Sequence, residues 1–127
     1  MPRILIVDDD VALRAALAKH LQRVGHVVRL AADGDAGVRA FRQEPADVVL
    51  VDIFMPVRGG LATIEKLRRE HPQAKIVAMS GVTTAVGLSV QQHAAALGAD
   101  RFIGKPFEAA ELVMLIEGLL GTSRPGA

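Results

Sequence analysis

The chain has 127 residues, half of them apolar, and a formal net charge of +1 at pH 7, which suits one domain with a substantial core. It contains no cysteine, which excludes disulfides, thiolate zinc sites and thiol catalysis. The fifteen cations are scattered, so no basic stripe indicates direct nucleic-acid binding.

No targeting or membrane segment is recognisable in the sequence. The N-terminus runs through Met1-Pro2-Arg3 into a short apolar stretch and then three acids, which is unlike a signal peptide. No apolar run reaches the roughly 18 residues of a membrane span. We therefore expect a soluble cytoplasmic protein that does not bind membranes.

The first part of the chain alternates short apolar runs with helical spacing. Residues 4–7 form a β-branched run that stops at three acids, which is typical of a buried strand. Apolar residues then recur at helical spacing until Gly25 and predict the first helix. A weaker strand over residues 26–31 and a short helix over residues 34–44 follow.

The alternation continues to the end of the chain. The third strand, residues 48–51, is the most apolar, so we place it centrally with Asp52 at its C-terminal end. The remaining elements are a helix over 61–71, a strand over 75–79, a loop or frayed helix start over 82–88, a helix over 90–97, a strand over 101–103 and a helix over 108–120. We expect one domain over residues 1–121 and a frayed tail over residues 122–127.

Five strands that alternate with five helices predict an α/β fold. Such strands pair in parallel through right-handed crossovers, and helices cover both faces of the single sheet, so we expect strands that are apolar throughout. The functional site of these sheets lies beyond the C-terminal strand ends, near the switch in strand order. The residues that directly follow predicted strands are Asp8, Asp9, Asp52, Ser80 and Lys105.

These residues suggest phosphoryl chemistry. Two carboxylates about 4 Å apart repel by roughly 4 kcal/mol at an effective dielectric near 20, so converging acids need a cation. Mg²⁺ (or Mn²⁺) is the natural cofactor because it prefers oxygen ligands, and Lys105 adds a permanent positive charge. Asp52 would then attack phosphorus as the nucleophile, and the hydroxyl of Ser80 would donate a hydrogen bond to a phosphoryl oxygen.

Four segments resemble the signature of response-regulator receiver domains of two-component signalling. They are residues 4–10 (ILIVDDD), 51–56 (VDIFMP), 79–81 (MSG) and 105–107 (KPF), with residues 98–102 (GADRF) as a further match. Each motif is weak alone, but four in order, each after a predicted strand, are specific. The resemblance covers about residues 3 to 120 and implies the flavodoxin-like strand order 2-1-3-4-5.

The resemblance assigns a role to each residue of the metal and phosphoacceptor site. Asp52 matches the phosphoacceptor, and Asp8 and Asp9 match the acidic pair that holds the metal with it. Phe54 matches the position that lends a backbone carbonyl to Mg²⁺. Lys105 matches the lysine that senses the phosphate.

It also assigns the residues that respond to phosphorylation. Ser80 matches the switch hydroxyl and Phe102 the switch aromatic, although a static core position is the alternative for Phe102. Gly60 matches the structural glycine after the Met-Pro turn. The peptide bond between Lys105 and Pro106 is usually cis in the family.

Partners also follow from the resemblance. The phosphoryl donor is expected to be a histidine kinase or a histidine phosphotransfer protein that docks on the first helix, where Arg14, Ala15 and Ala18 are expected to be exposed. The output is expected from the fourth helix, fifth strand and fifth helix, towards a downstream protein or a missing effector domain. The sequence fits equally a stand-alone regulator and an N-terminal fragment of a larger regulator or hybrid kinase.

Other functions fit the sequence less well. An Asp-nucleophile phosphohydrolase usually carries an acid two positions after the nucleophile, where Phe54 stands. A nucleotide- or flavin-binding module would need a glycine-rich loop after the first strand, where acids stand instead. A passive receiver would not need the complete set of acids, lysine and hydroxyl. Asp10 is expected to cap the first helix, and the four histidines show no spacing of metal ligands.

Overall fold

A computed structural model describes residues 1–55, 59–81 and 85–121. In chain order the elements are β1 (Arg3–Val7), α1 (Val11–Arg23), β2 (Val27–Ala31), α2 (Gly34–Gln43), β3 (Val48–Asp52), α3 (Gly60–Glu70), β4 (Lys75–Ser80), α4 (Ala85–Leu97), β5 (Arg101–Gly104) and α5 (Ala109–Leu120). All strand pairs are parallel, and the sheet order is β2-β1-β3-β4-β5. The predicted fold class and strand order are confirmed.

The fourth helix is longer than its sequence pattern indicated. Residues 82–88 were expected to form a loop or a frayed helix start before a helix over 90–97, and α4 begins at Ala85. Gly87 lowers the intrinsic helix propensity of this segment, and propensity is a weak guide where tertiary packing favours the helix. Residues 82–84 and the predicted tail, 122–127, lie outside the described residues.

The sheet has one core on each face. On one face, side chains of β1, β3 and β4 pack against α2, α3 and α4. On the other face, the alternate side chains of the same strands pack against α1 and α5. Every residue of β3 is buried, as expected for a central strand with helices on both sides. The edge strand β2 is half exposed, in keeping with the weaker apolar pattern of residues 26–31.

The strand register brings the predicted site residues to one edge of the sheet. Val7 pairs with Val51, so the acids that follow β1 lie beside Asp52 at the end of β3. Asp52 in turn pairs with Met79 of β4. The three central strands, β1, β3 and β4, therefore end at one level. The residues that follow these strands lie around one space at this edge of the sheet.

The first helix begins where the sequence predicted a cap. The Asp10 side chain accepts a hydrogen bond of 3.0 Å from the backbone N–H of Leu13, and such a cap contributes about 1 kcal/mol. This confirms the expectation that Asp10 belongs to the helix and leaves Asp8 and Asp9 as the acids of the site.

Candidate functional site

Three carboxylates meet beyond the ends of β1 and β3. Asp8, Asp9 and Asp52 each offer an oxygen atom, and these atoms lie within 4.8 Å of one another. Asp8 is fully buried and Asp52 is 6% exposed, whereas Asp9 faces solvent. The structure therefore brings together the three acids that the sequence singled out.

The Lys105 side chain reaches the same cluster from the segment that follows the edge strand β5. Its Nζ atom lies 3.0 Å from Asp8 Oδ2 and 3.6 Å from Asp52 Oδ2. The other oxygen of Asp8 accepts a 2.9 Å hydrogen bond from the backbone N–H of Asp10. Both oxygens of the most buried acid are thus engaged, which lets the fold tolerate its charge.

Asp52 has an unusual ionisation equilibrium. Burial, followed by the neighbouring charge of Asp8, raises the pKa of the Asp52 carboxyl group to about 6 from its ordinary value of 3.8. Lys105 and the backbone N–H of Phe54 act in the opposite direction and limit the rise in pKa. A further positive charge beside Asp52 would therefore lower the pKa of its carboxyl group and stabilise the ionised form.

Gly60 allows α3 to approach the end of β3. Its backbone N–H donates a 2.8 Å hydrogen bond to the carbonyl of Ile53. A Cβ atom on Gly60 would lie 2.1 Å from the backbone oxygen of Asp52 and 2.4 Å from Cα of Ile53. No side chain fits in that space. Glycine at position 60 therefore lets α3 pack directly against the backbone of Asp52.

The two predicted switch residues lie on β4 and β5. Ser80 is fully buried at the end of β4, one position beyond Met79, the partner of Asp52. Its backbone carbonyl accepts a 2.6 Å hydrogen bond from the N–H of Lys105. Phe102 is partly buried and lines a cavity of about 250 Å³ between α4 and β5. The fold thus leaves adjustable space beside Phe102.

The chain turns sharply after β5 and opens a groove beside the site. The bond between Lys105 and Pro106 is cis, as the resemblance implied. An apolar groove of about 710 Å³ runs from this turn along α1. Its lining includes Leu13, Ala16, His20 and Phe107, and the sequence pattern predicted no groove there.

The exposed surface of α1 differs from the expected one in one residue. Ala15 is exposed and Arg14 is partly exposed, but Ala18 is 7% exposed and belongs to the core. The expectation that Ala18 is exposed was wrong. Ala18 follows Leu17 on the flank of the helix that faces the sheet, where a methyl side chain permits close packing.

One structural network was not anticipated. The guanidinium group of Arg68, on α3, forms an ion pair of 2.8 Å with Asp100 and donates hydrogen bonds to the carbonyls of Ala74 and Gly98. Asp100 also accepts a bond from the N–H of Ile76. This network holds the C-terminal ends of α3 and α4 against the amino end of β4. A single arginine in a helical pattern gives no sequence signal for such a role.

The acidic cluster fits a hard divalent cation. Mg²⁺ binds oxygen at about 2.0–2.1 Å and usually keeps several waters, so opposite oxygens around one ion are roughly 4 Å apart. The carboxylate oxygens here, within 4.8 Å, match that spacing with slight contraction or through water. A donor set of carboxylates alone, without nitrogen or sulfur, is also the kind that Mg²⁺ and Mn²⁺ prefer.

Comparison with known proteins agrees with this geometry. The family described as "Response regulator receiver domain" matches residues 4–117. The chain is 34% identical over 98% of its length to the DNA-binding transcriptional regulator NtrC of Azospirillum brasilense, of which it covers 25%. It is 39% identical over 94% of its length to the transcriptional activator protein PfeR of Pseudomonas aeruginosa, of which it covers 38%.

Solved structures show the same architecture. The receiver domain of NtrX from Brucella abortus superposes with a TM-score of 0.87 at 34% identity, covering 94% of this chain and 99% of that one. The chemotaxis protein CheY4 of Vibrio cholerae superposes with a TM-score of 0.87 at 26% identity, covering 94% of this chain and 98% of that one.

The flavodoxin-like sheet and its cluster of acids and lysine define a signalling receiver domain. The chain belongs to the response-regulator receiver family, a family of regulators and not a known enzyme family. It spans between a quarter and a half of the curated relatives it matches. None of the helices in the described part of the chain is long and apolar enough to cross a bilayer.

Proposed function

We propose that this domain is a phosphorylation-controlled switch whose phosphoacceptor is Asp52. The observation that supports this most strongly is the position of Lys105, whose Nζ lies within 3.6 Å of both Asp8 and Asp52. Lys105 stabilises the buried charge of Asp8 and at the same time brings a cation beside the Asp52 carboxylate. It is well placed to neutralise the oxygens of a transferring phosphoryl group.

Asp8, Asp9 and Asp52 would hold Mg²⁺, and the backbone carbonyl of Phe54 would complete the site. The close approach of the three carboxylates and the raised pKa of Asp52 support a cation here. When bound, the ion neutralises charge on the phosphoryl oxygens. Phe54 supplies only its backbone, so its aromatic side chain does not prevent this role.

The transfer itself requires little covalent chemistry from the protein. An oxygen of the Asp52 carboxylate attacks phosphorus in line, the phosphorus–nitrogen bond of a phosphohistidine breaks, and the histidine nitrogen keeps the electron pair. Lys105 supplies positive charge on one side of the phosphoryl group. The product is an acyl phosphate on Asp52, and loss of the phosphoryl group to water completes the cycle.

The signal would pass through Ser80 and Phe102. The hydroxyl of Ser80 would donate a hydrogen bond to a phosphoryl oxygen and move inward with it. Phe102 would then turn into the space that Ser80 leaves. Couplings of this kind amount to about 1–3 kcal/mol, and the surface of α4, β5 and α5 would change with them.

The donor would be a histidine kinase or phosphotransfer protein. The apolar groove that starts at Lys105 and runs along α1 has the size to receive a helix beside the site. In this role the domain would work in the cytoplasm. Because it covers only part of its curated relatives, we propose that its output runs either through an effector domain of a longer chain or through a separate protein.

The direct test uses a small phosphoryl donor. We would incubate the protein with acetyl phosphate and Mg²⁺ and measure its intact mass. One added phosphoryl group is expected in the wild type and in Glu65→Gln, an exposed acid on α3 that serves as the control. No addition is expected in Asp52→Asn or without divalent cation. Labelling that persists in Asp52→Asn would refute the assignment.

A further inference from the structure

The edge strand β2 has one side that pairs with no other strand of the described chain. The sheet order places β2 outside β1, and β1 pairs with alternate residues of its backbone. The N–H of Val27 donates a 2.8 Å hydrogen bond to the carbonyl just before β1, and the carbonyl of Ala31 accepts a 3.1 Å bond from the N–H of Asp8. Because the N–H and C=O groups of successive strand residues point to opposite sides, those of Val28 and Leu30 point away from β1.

This outward side of β2 is apolar and carries little protection by charge. Leu30 is 47% exposed and Val27 is 39% exposed, and Arg29 is the one charged residue of the strand. The Arg29 guanidinium is turned towards α2, where it donates a 3.1 Å hydrogen bond to the carbonyl of Ala40 and lies 3.8 Å from Glu44. Folded proteins usually protect a strand edge with charges, proline or a bulge, since an open edge can pair with another strand.

The side chains of β2 divide between the two faces of the sheet. Val28 packs against the core on the α1 face, and Leu30, two positions further along, lies on the same face. Ala31 belongs to the core on the α2 face, and Val27 and Arg29 share that face with it. The residues whose backbone points outward are therefore both apolar, and the only charge of the strand lies on the other face.

We propose that a second copy of this chain pairs with β2 in antiparallel orientation, so that the two sheets become continuous. A two-fold axis at Arg29 places Val28 opposite Leu30 of the other copy, and the reverse pair follows by symmetry. These are the residues whose backbone points outward, so each opposite pair exchanges two hydrogen bonds. In the same register Val27 lies opposite Ala31 of the other copy, so apolar side chains meet on both faces.

The strand itself favours this register and this partner. A shift by two residues in either direction would leave one hydrogen-bonded pair within β2 in place of two. Each Arg29 lies opposite its copy in the other chain, but each guanidinium keeps the Glu44 of its own chain beside it. An extended segment of another protein would have to supply a matching pattern of apolar residues and backbone groups, whereas β2 carries both halves of that pattern.

The contact does not include the acid cluster, and it does not rest on the proposed phosphorylation. A pair of short strands gives a small interface, so we expect a weak dimer with a dissociation constant of about 0.1 mM. The two facing arginines repel each other, and salt screens such a repulsion. Added salt should therefore not weaken the dimer.

Amide hydrogen exchange, followed residue by residue by NMR, tests the proposal. In the monomer the N–H groups of Val28 and Leu30 face solvent, whereas those of Val27, Arg29 and Ala31 are held by β1. At about 1 mM protein we expect exchange at Val28 and Leu30 to be at least about threefold slower than at about 0.05 mM, because dimer forms by mass action. Equal rates at the two concentrations would assign this edge to an extended segment of another protein and contradict pairing with a second copy.

Two variants of Leu30 and one control keep the test specific. Leu30→Pro removes an outward N–H and no hydrogen bond to β1, so it should weaken association in sedimentation velocity at least about tenfold. Leu30→Lys should also weaken it, because it places a charge against Val28 of the other copy. Met114→Lys, the same change at a 74% exposed residue of α5, should leave the dimer intact, and circular dichroism checks that each variant folds. A dimer that Met114→Lys abolishes, or that neither variant of Leu30 weakens, would overturn the proposal.

Discussion

Lys105 and Asp8 are 97 positions apart in the chain, yet Lys105 Nζ donates a 3.0 Å hydrogen bond to Asp8 Oδ2. Asp8 is fully buried, and this contact with the cation stabilises its charge where water cannot reach it. The bond joins the segments that follow β1 and β5, two strands that are not neighbours in the sheet. Each residue thereby fixes the other at the edge where Asp52 lies, which gives the site its shape before any ligand binds.

The raised pKa of Asp52 predicts how stability changes with pH. A carboxyl group whose pKa is about 6 in the folded state and 3.8 when unfolded stabilises the fold while protonated, and that contribution is lost as pH rises through about 6. The Asp52→Asn variant has no ionisable group at this position, so it does not lose stability in this way as pH rises. In metal-free buffer we expect Asp52→Asn to be more stable than the wild type at about pH 7.5, and the difference to shrink towards pH 4.5.

Thermal unfolding at both pH values, with and without Mg²⁺, measures this difference. Adding Mg²⁺ should raise the melting temperature of the wild type more than that of the variant, because a ligand that binds only the folded state stabilises it. The exposed control Glu65→Gln should show neither effect. Equal melting temperatures for wild type and Asp52→Asn at neutral pH would argue against a buried, ionised Asp52.

Gly60 and Gly59 form a matched pair for the next prediction. A Cβ atom at Gly60 would collide with the backbone of Asp52 and Ile53, whereas a Cβ atom at Gly59 meets nothing within 4 Å. Gly60→Ala should therefore lower the free energy of unfolding by about 1–3 kcal/mol, the usual cost of overpacking. It should also slow labelling by acetyl phosphate, since β3 must shift.

Gly59→Ala should leave both quantities nearly unchanged. Urea titration of the two variants beside the wild type gives the free energies, and the mass assay gives the labelling rates. Similar losses in both variants would mean that glycine is needed at this turn for its flexibility, with no special role for close packing at Gly60.

The Arg68 network predicts a local loss of stability. Arg68 and Asp100 are 14% and 11% exposed as side chains, and removing one partner of a buried ion pair typically costs about 3–5 kcal/mol. Arg68→Met should therefore destabilise the protein strongly, and Arg69→Met, on the exposed side of the same helix, only slightly. Hydrogen exchange should show the largest increase at the start of β4 and around Gly98. Uniform exchange across the sheet would contradict a local role.

Phe54 predicts the lifetime of the phosphorylated state. Phe54 is 52% exposed and follows Asp52 by two positions, so we expect its side chain to hinder the water that attacks the acyl phosphate. The sequence places a second apolar residue, Val82, near Ser80. The double variant Phe54→Asn/Val82→Glu should lose its phosphoryl group faster than the wild type.

The lifetime is measured as the decay of the phosphorylated mass after acetyl phosphate is removed. Phe54→Leu keeps an apolar side chain of similar size and should decay nearly as slowly as the wild type. An unchanged lifetime in the double variant would end this explanation.

Much of the fold was predictable because its signals are local. The apolar runs and helical spacing depend on neighbouring residues, and they gave the right order of elements. The boundary at Ala85 was left open between a loop and a frayed helix start, because a stretch with Gly87 and two threonines carries weak local signals. The exposure of Ala18 was misjudged because alanine fits equally well in a core and on a surface.

The sequence alone determined which polar residues stand at or just after the strand ends, namely Asp8, Asp9, Asp52, Ser80 and Lys105. It also determined the family, through motifs that recur in order. Tertiary structure alone decided the distances within the cluster, the raised pKa of Asp52, the close approach of α3 to β3 at Gly60 and the network of Arg68. Charge interactions, burial and steric contact depend on atoms brought together from distant parts of the chain. A local sequence pattern does not give the distances between those atoms.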